Sequence, residues 1–126
     1  MDNVKRFEDL IAWRLAMQLQ QVADSYCEKP AIKRDFKFRD QFADAAASGP
    51  RNIAEGFGCY FHPEFARFAR IAHGSEPEVI NHLRSAKSKG YISPVECDDG
   101  IHAARRAIKV LTGLIRYLDE TPDWGR

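Results

Sequence analysis

Apolar residues recur at alternating spacings of three and four along most of this 126-residue chain, and this periodicity constrains its fold more than any other feature. Such spacing places apolar side chains on one face of an α-helix, which has about 3.6 residues per turn. Alternating β-branched runs bounded by turns, the usual signal of strands, are nearly absent from the sequence. The pattern therefore predicts an all-α protein.

Four helical segments follow from where the periodicity begins and ends. The predicted helices cover about 7–27, 36–57, 63–89 and 94–118, and a short tail covers 119–126. The last helix has the most regular apolar seam, formed by Cys97, Ile101, Ala104, Ile108, Leu111, Ile115 and Leu118. Helices of about twenty residues with short connections favour an up-down-up-down antiparallel four-helix bundle, which residues 1–126 would form as a single domain.

Prolines, glycines and capping residues predict how the helices begin and end. Ser93 and Glu96 form a capping box at the start of the last helix. The segment Lys29–Asp35 contains a proline and predicts a loop. Pro77 lies inside the third helix and predicts a bend there or a split into two rods. The segment Gly56–Gly58 predicts that the second helix ends in residues that tolerate left-handed conformations.

Composition excludes several classes of protein. With 44% hydrophobic residues the chain is too apolar to be disordered, and no apolar run approaches the roughly 20 residues that span a bilayer. The N-terminal residues 1–6 contain no apolar signal core, which predicts a cytoplasmic protein without membrane association. Three widely spaced cysteines, Cys27, Cys59 and Cys97, are predicted to be reduced thiols.

Catalytic and metal-binding patterns are missing from the sequence. No Glu-x-x-His pair of the kind that builds di-metal sites in helical bundles is present, and Glu78 with His82 falls on either side of the apolar stripe. His62 is predicted to start the third helix, and His73 and His102 are predicted to be surface residues. Nucleophile and phosphate-loop motifs are also absent. We therefore expect no enzymatic activity, no metal and no cofactor.

Charge is unevenly distributed although 19 Lys and Arg nearly balance 18 Asp and Glu. Every formally charged residue between Gly100 and Leu118 is positive, and the third helix carries a weaker basic face. The candidate nucleic-acid-binding residues on these two faces are Arg67, Arg70, Arg84, Lys87, Arg105, Arg106, Lys109 and Arg116. Two interpretations stay open: ordinary solvated faces of a bundle, or a shallow electropositive surface for the phosphates of RNA or DNA.

The second helix combines small residues with a polar motif. Its alanines between Ala43 and Ala47, together with Gly49, would let a neighbouring helix approach closely. Asn52 borders the apolar stripe and Glu55 lies on the opposite side. This arrangement favours either an asparagine hydrogen-bonded across a helix pair with a surface acid, or a Glu55 that meets an arginine at an interface between subunits.

Two segments resemble the 23S rRNA-intervening-sequence protein family, also called four helix bundle proteins. The motif residues are Asn52, Ile53, Ala54, Glu55 and Gly56, followed by Gly74 and Ser75. The opening Phe7–Leu10 with Trp13 is also similar to the family. The resemblance implies a small bacterial bundle that assembles into a ring-like homopentamer, with these residues as the family motif or as part of an interface. Distantly similar accessory proteins of diversity-generating retroelements contact a reverse transcriptase and nucleic acid.

The sequence as a whole predicts a non-enzymatic, homo-oligomeric scaffold or adaptor that binds RNA or DNA weakly and without sequence preference. The assembly depends on the small residues of the second helix and on the resemblance, and the nucleic-acid binding depends on the two basic faces. The alternative is a purely protein-binding adaptor. It would use the apolar segment Cys59–Phe61, with Trp124 as a further contact.

Overall fold

The computed structural model describes residues 3–122, and in this range the chain forms helices joined by short connections, with no strand. The helices are α1 (Ile11–Cys27), α2 (Pro30–Arg34), α3 (Phe36–Phe57), α4 (His62–Ser88) and α5 (Pro94–Glu120). Each of the four long helices packs against two others, in the order α1, α3, α4, α5 and back to α1. The predicted all-α bundle is confirmed.

The first helix begins later than the periodicity predicts. Phe7–Asp9 forms a single 3-10 turn, and Leu10 then adopts an extended conformation with φ −75° and ψ 126°. The α-helix therefore starts only at Ile11. Leu10 is buried in the core, so the extended residue anchors the turn to the end of the bundle.

The connection after α1 was predicted to be a loop, and this prediction is wrong because α2 forms there. Pro30 occupies the first helical position, where its fixed φ suits a helix. An N–H at this position would have no acceptor within the helix, so its absence costs no hydrogen bond. Ile32 is completely buried and contributes to the core. One buried apolar side chain thus holds a five-residue helix against the bundle.

The third predicted helix is not split at Pro77, since α4 continues through it from His62 to Ser88. The proline is exposed, so its ring points to solvent and does not disturb the packed side of the helix. Beyond it, Val79 and Leu83 are almost fully buried. This burial keeps the helix continuous although one backbone hydrogen bond is missing.

The helix ends also differ from the prediction. Gly58 after α3 is in the right-handed region with φ −70°, so the left-handed ending predicted for Gly56–Gly58 is wrong. Among residues 3–122 a positive φ occurs only at Gly90, with φ 75°. There the Tyr91 N–H donates to the Ala86 carbonyl at 2.8 Å, which closes α4 with the glycine-dependent turn typical of helix C-termini.

The capping box at the start of α5 is confirmed. The Glu96 N–H donates to the Ser93 hydroxyl oxygen at 3.1 Å, and the Ser93 N–H donates to the Glu96 carboxylate at 2.8 Å. Lys29 also forms an ion pair with this carboxylate at 2.8 Å. The Lys29 hydrogen bond and the Ser93 N–H together lower the pKa of Glu96. The cap therefore joins the start of α5 to the connection after α1.

The core consists of two apolar clusters that follow one another along the bundle. The first contains Leu19, Phe38, Phe42, Val79, Leu83 and Cys97 among others. The second contains Leu10, Ile53, Phe65, Ala69, Leu111 and Leu118 among others. Each of the four long helices contributes one half to the first cluster and the other half to the second, and the change occurs near its middle. A distinct layer therefore separates two half-cores.

Glu76 of α4 lies in this middle layer. Its side chain is only 2% exposed, and neither carboxylate oxygen has a hydrogen-bond partner within residues 3–122. A Cβ atom at Gly49 of α3 would lie 3.2 Å from Glu76 Oε1, so the glycine leaves the space that the carboxyl fills. Burial raises the pKa of Glu76 to about 7.

Candidate nucleic-acid interface and motif face

The two basic faces meet along the groove between α4 and α5. Arg70 of α4 forms an ion pair with Asp119 of α5. His73 Nε2 lies 3.0 Å from the Thr112 hydroxyl oxygen. Because that hydroxyl donates its own proton to the Ile108 carbonyl at 2.8 Å, it accepts from His73, whose Nε2 must carry a proton. These contacts hold the outer sides of the two helices together.

The eight predicted cations fall into two groups in the structure. Arg67 pairs with Glu64 at 2.7 Å and lies over the Phe68 ring, and Arg70 pairs with Asp119. Within the described range the other six form no ion pair: Arg84, Lys87, Arg105, Arg106, Lys109 and Arg116. All six are exposed. Of the eight candidates, these six are the ones whose positive charge has no acidic partner among the described residues.

Three of the unpaired cations lie on one strip of α5. At 100° per residue, Arg105, Lys109 and Arg116 fall within about 40° of one another on the helix surface. With a rise of 1.5 Å per residue, the strip is about 16 Å long. Arg106 points away from it, toward the α1 side of the helix. The strip is therefore a straight row of cations beside the α4–α5 groove.

Arg84 and Lys87 lie at the other end of this groove. They border a shallow cleft of about 570 Å³ together with Asp98 and Ile101. Asp98 carries a negative charge into the cleft and weakens its positive potential. The stronger part of the basic surface is therefore the strip on α5.

The motif residues on α3 and α4 are joined by a directed chain of hydrogen bonds. Asn52 Nδ2 donates to the Ser48 hydroxyl oxygen at 3.1 Å and to the Ser48 carbonyl at 2.9 Å. Ser48 and Ser75 oxygens are 2.6 Å apart, and Ser75 donates its proton to the Ile71 carbonyl. Ser48 therefore donates to Ser75. Asn52 bonds within its own helix, and Ser48 carries the connection across to α4.

Other motif residues serve packing. Ile53 is completely buried, and Gly56 faces α4 so closely that a Cβ there would lie 2.7 Å from Phe65 Cδ1. Glu55 is exposed, and no ion pair to it occurs in the part of the chain that the structure describes. Gly74 is also exposed, with nothing within 4 Å of a Cβ placed on it. The motif thus combines an inner packing side with an outer side that carries Glu55 and Gly74.

His62 starts α4 as predicted, but it is buried. Its Nδ1 lies 2.8 Å from both the carbonyl and the hydroxyl oxygen of Thr121 at the end of α5. The Thr121 hydroxyl donates to the Tyr117 carbonyl, so Nδ1 carries the proton and donates. No local pattern could reveal this contact, because its partners are 59 residues apart.

Two negative findings apply to residues 3–122. No group of three or more His, Cys, Asp or Glu side chains is arranged to hold a metal ion there. Nor does this range contain a helix long and apolar enough to cross a membrane. The segment 123–126, with Trp124, lies outside the described residues.

Comparison with known proteins accounts for the motif. A model of the 23S rRNA-intervening sequence proteins matches residues 8–113. The chain belongs to this family. The match includes Asn52–Gly56, Gly74, Ser75 and all the candidate cations except Arg116. The family resemblance predicted from the motif is therefore confirmed.

The fold of this member of the intervening sequence protein family is also found among solved structures. An example is a protein of unknown function from the S23 ribosomal protein family of Bacteroides thetaiotaomicron, with a TM-score of 0.76 and 16% sequence identity. The similarity covers 84% of this chain and 99% of that one, and supports the fold alone. No curated protein matches the chain.

Proposed function

We propose that this intervening sequence protein is a non-enzymatic, homo-oligomeric scaffold of the cytoplasm that binds RNA or DNA weakly and without sequence preference. The observation that carries the proposal is the row of unpaired cations at Arg105, Lys109 and Arg116. Cations that neutralise phosphates release counterions from the nucleic acid, and this release drives binding independently of base sequence. A side chain without an acidic partner is free to do so.

The assembly half of the proposal is supported by apolar side chains that the single chain leaves exposed. Those with more than two-fifths of their surface exposed are Ile11, Phe36, Tyr60, Phe61, Ile71 and Val95. Exposed Gly74, one turn after Ile71, would let another backbone approach α4 closely. The family resemblance suggests a pentamer. In a ring of five, the strip on α5 would be repeated five times, so a subunit with a net charge of +1 could present a continuous basic band.

Sedimentation velocity with a labelled single-stranded RNA tests both halves. We expect the protein alone to sediment as an oligomer at micromolar concentration, and to bind RNA at low salt but much less at high salt. Reversal of the strip by Arg105→Glu, Lys109→Glu and Arg116→Glu should weaken binding at least about tenfold and reduce the salt slope by about two.

A control of equal charge change is available elsewhere on the surface. Lys33→Glu, Arg34→Glu and Arg51→Glu alter exposed cations outside the two basic faces and should leave most of the RNA affinity. Equal losses in the two triple variants would contradict a site on α5. Sedimentation of monomer alone would contradict the scaffold.

The second candidate function is a protein-binding adaptor. Tyr60 and Phe61 are 64% and 58% exposed, and their rings pack against each other with centroids 4.8 Å apart, which presents a small apolar knob at one end of the bundle. Two results together would favour this function. The protein would not bind RNA, and it would bind a protein partner that nuclease treatment does not release and that the double variant Tyr60→Ser with Phe61→Ser no longer binds.

A further inference from the structure

A polar cleft lies on the side of α4 that faces α3, away from the basic groove. It has a volume of about 340 Å³ and opens between the first turns of α3 and the last turns of α4. Its polar wall is formed mainly by Lys37, Gln41, Asn81, His82, Ser85 and Lys89. Two helices thus bring several hydrogen-bond donors to one concave surface.

The acidic group of this cleft is already occupied by donors of the protein. The Asp35 carboxylate accepts from the Tyr91 hydroxyl at 2.7 Å and from the Phe38 N–H at 3.3 Å, and the Lys89 ammonium lies 3.7 Å away. These three neighbours, the tyrosine most strongly, lower the pKa of Asp35. The carboxylate is therefore ionised and compensated, and it accepts no hydrogen bond from Lys37, Gln41, Asn81 or Ser85.

Four of those donors have no partner of their own. In the described structure Lys37 forms no ion pair, and the side chains of Gln41, Asn81 and Ser85 form no hydrogen bond. Lys37 and Gln41 are one turn apart on α3, and Asn81 and Ser85 are one turn apart on α4. One ammonium, two amides and one hydroxyl therefore face the cleft with unused hydrogens.

His82 adds a fifth polar group, which is largely buried. Its side chain is 13% exposed and packs between Phe38 and Phe42, with ring centroids 5.8 and 6.0 Å away. Its Nε2 is buried without a hydrogen-bond partner. The nearest acidic oxygen, Oε1 of Glu78, is 3.7 Å away, too far for a hydrogen bond. The imidazole therefore lines the cleft as a largely buried aromatic wall, and its NMR signals report on whatever enters the cleft.

We propose that this cleft binds a phosphate group, with Lys37 supplying the charge and Gln41, Asn81 and Ser85 supplying hydrogen bonds beside the His82 ring. A phosphate offers several oxygens, each able to accept more than one bond, and so suits a cleft that combines an unpaired ammonium with amide and hydroxyl donors. The phosphate comes either from a free phosphate or from a nucleic-acid backbone. The site is independent of the proposed RNA-binding strip on α5.

Titration with inorganic phosphate, followed by NMR signals of the His82 imidazole at constant ionic strength with chloride, tests the site. We expect a saturable shift at millimolar phosphate. Lys37→Glu should weaken binding at least about fivefold, as expected for the loss of one charge-assisted contact. Lys33→Glu, outside the cleft and paired with Glu28 in the native chain, should leave the titration unchanged. Circular dichroism checks that both variants are folded.

A second titration with a short single-stranded oligonucleotide identifies the source of the phosphate. If the Lys37-dependent shift occurs with the oligonucleotide but not with inorganic phosphate, the site binds a nucleic-acid backbone. If it occurs with inorganic phosphate, the site binds free phosphate. Absence of a shift with both, or equal loss in Lys37→Glu and Lys33→Glu, overturns the proposal. The triple reversal on α5 should leave the phosphate titration intact, so the two proposals fail separately.

Discussion

The free energy of unfolding should decrease as the pH rises from 5 to 8, because of Glu76. Its pKa is about 7 in the folded bundle against an ordinary value of 4.5, so the unfolded chain releases this proton first. The stabilising effect of the neutral acid is complete below pH 4.5, declines as the pH rises, and is lost once the pH passes 7. Between pH 5 and 8 this change amounts to between about 2 and 3 kcal/mol.

Glu76→Gln isolates this effect, since glutamine has nearly the same shape and does not titrate. Urea denaturation measures the free energy of unfolding of the variant minus that of the native protein. We expect this difference to be more favourable to the variant at pH 8 than at pH 5 by between about 2 and 3 kcal/mol. Glu55→Gln is the matched control, because Glu55 is exposed and its substitution should give the same difference at both pH values. A pH-independent difference for Glu76→Gln would contradict a buried neutral acid.

Substitution of Gly56 by alanine should destabilise the bundle by about 2 to 3 kcal/mol, which is typical of overpacking in a core. The new Cβ would lie 2.7 Å from Phe65 Cδ1, 2.9 Å from Phe68 Cβ and 3.1 Å from the Phe65 carbonyl oxygen. A backbone oxygen and a Cβ atom cannot move aside as the end of a long side chain can. Helices α3 and α4 would have to separate, and thermal or urea unfolding would report the loss.

Gly113→Ala is the control for Gly56→Ala. Gly113 also lies inside a long helix, but nothing is within 4 Å of a Cβ at that position. We expect alanine there to stabilise the protein by about 0.5 to 1 kcal/mol, because alanine has less conformational freedom to lose in a helix. Equal effects at the two positions would show that the close approach of α3 and α4 at Gly56 does not determine stability.

The helical periodicity was sufficient to predict the bundle, since it is a property of each helix by itself. The prediction failed where one side chain determines the local structure, as Leu10 does before α1 and Ile32 does in α2. Glu76 was missed for a different reason. It lies on the apolar seam between Ala72 and Val79, but an acid is rarely buried, and only Gly49 on another helix provides its space.

The sequence was sufficient to predict which cations of the candidate interface share a helix face, but not which of them have no acidic partner. The charge of Arg70 is compensated by Asp119, which is 49 residues away in the sequence. The polar cleft escaped prediction for the same reason, because Lys37 and His82 belong to different helices and neither forms a motif with its sequence neighbours. Helix periodicity indicates which way a side chain points, whereas pairing depends on the neighbouring helix that meets it.

The fit between Glu76 and Gly49 also fixes how α3 and α4 align along their length. If α4 shifted by one helical turn, the carboxyl would meet Ala45 or Ile53, whose side chains fill the space that Gly49 leaves open. The close approach at Gly56 opposes the same shift, whereas apolar layers without such fitted positions would tolerate it, since one layer of apolar side chains resembles the next. The acid that weakens the bundle above neutral pH thus excludes the misaligned packings that a uniform core would allow.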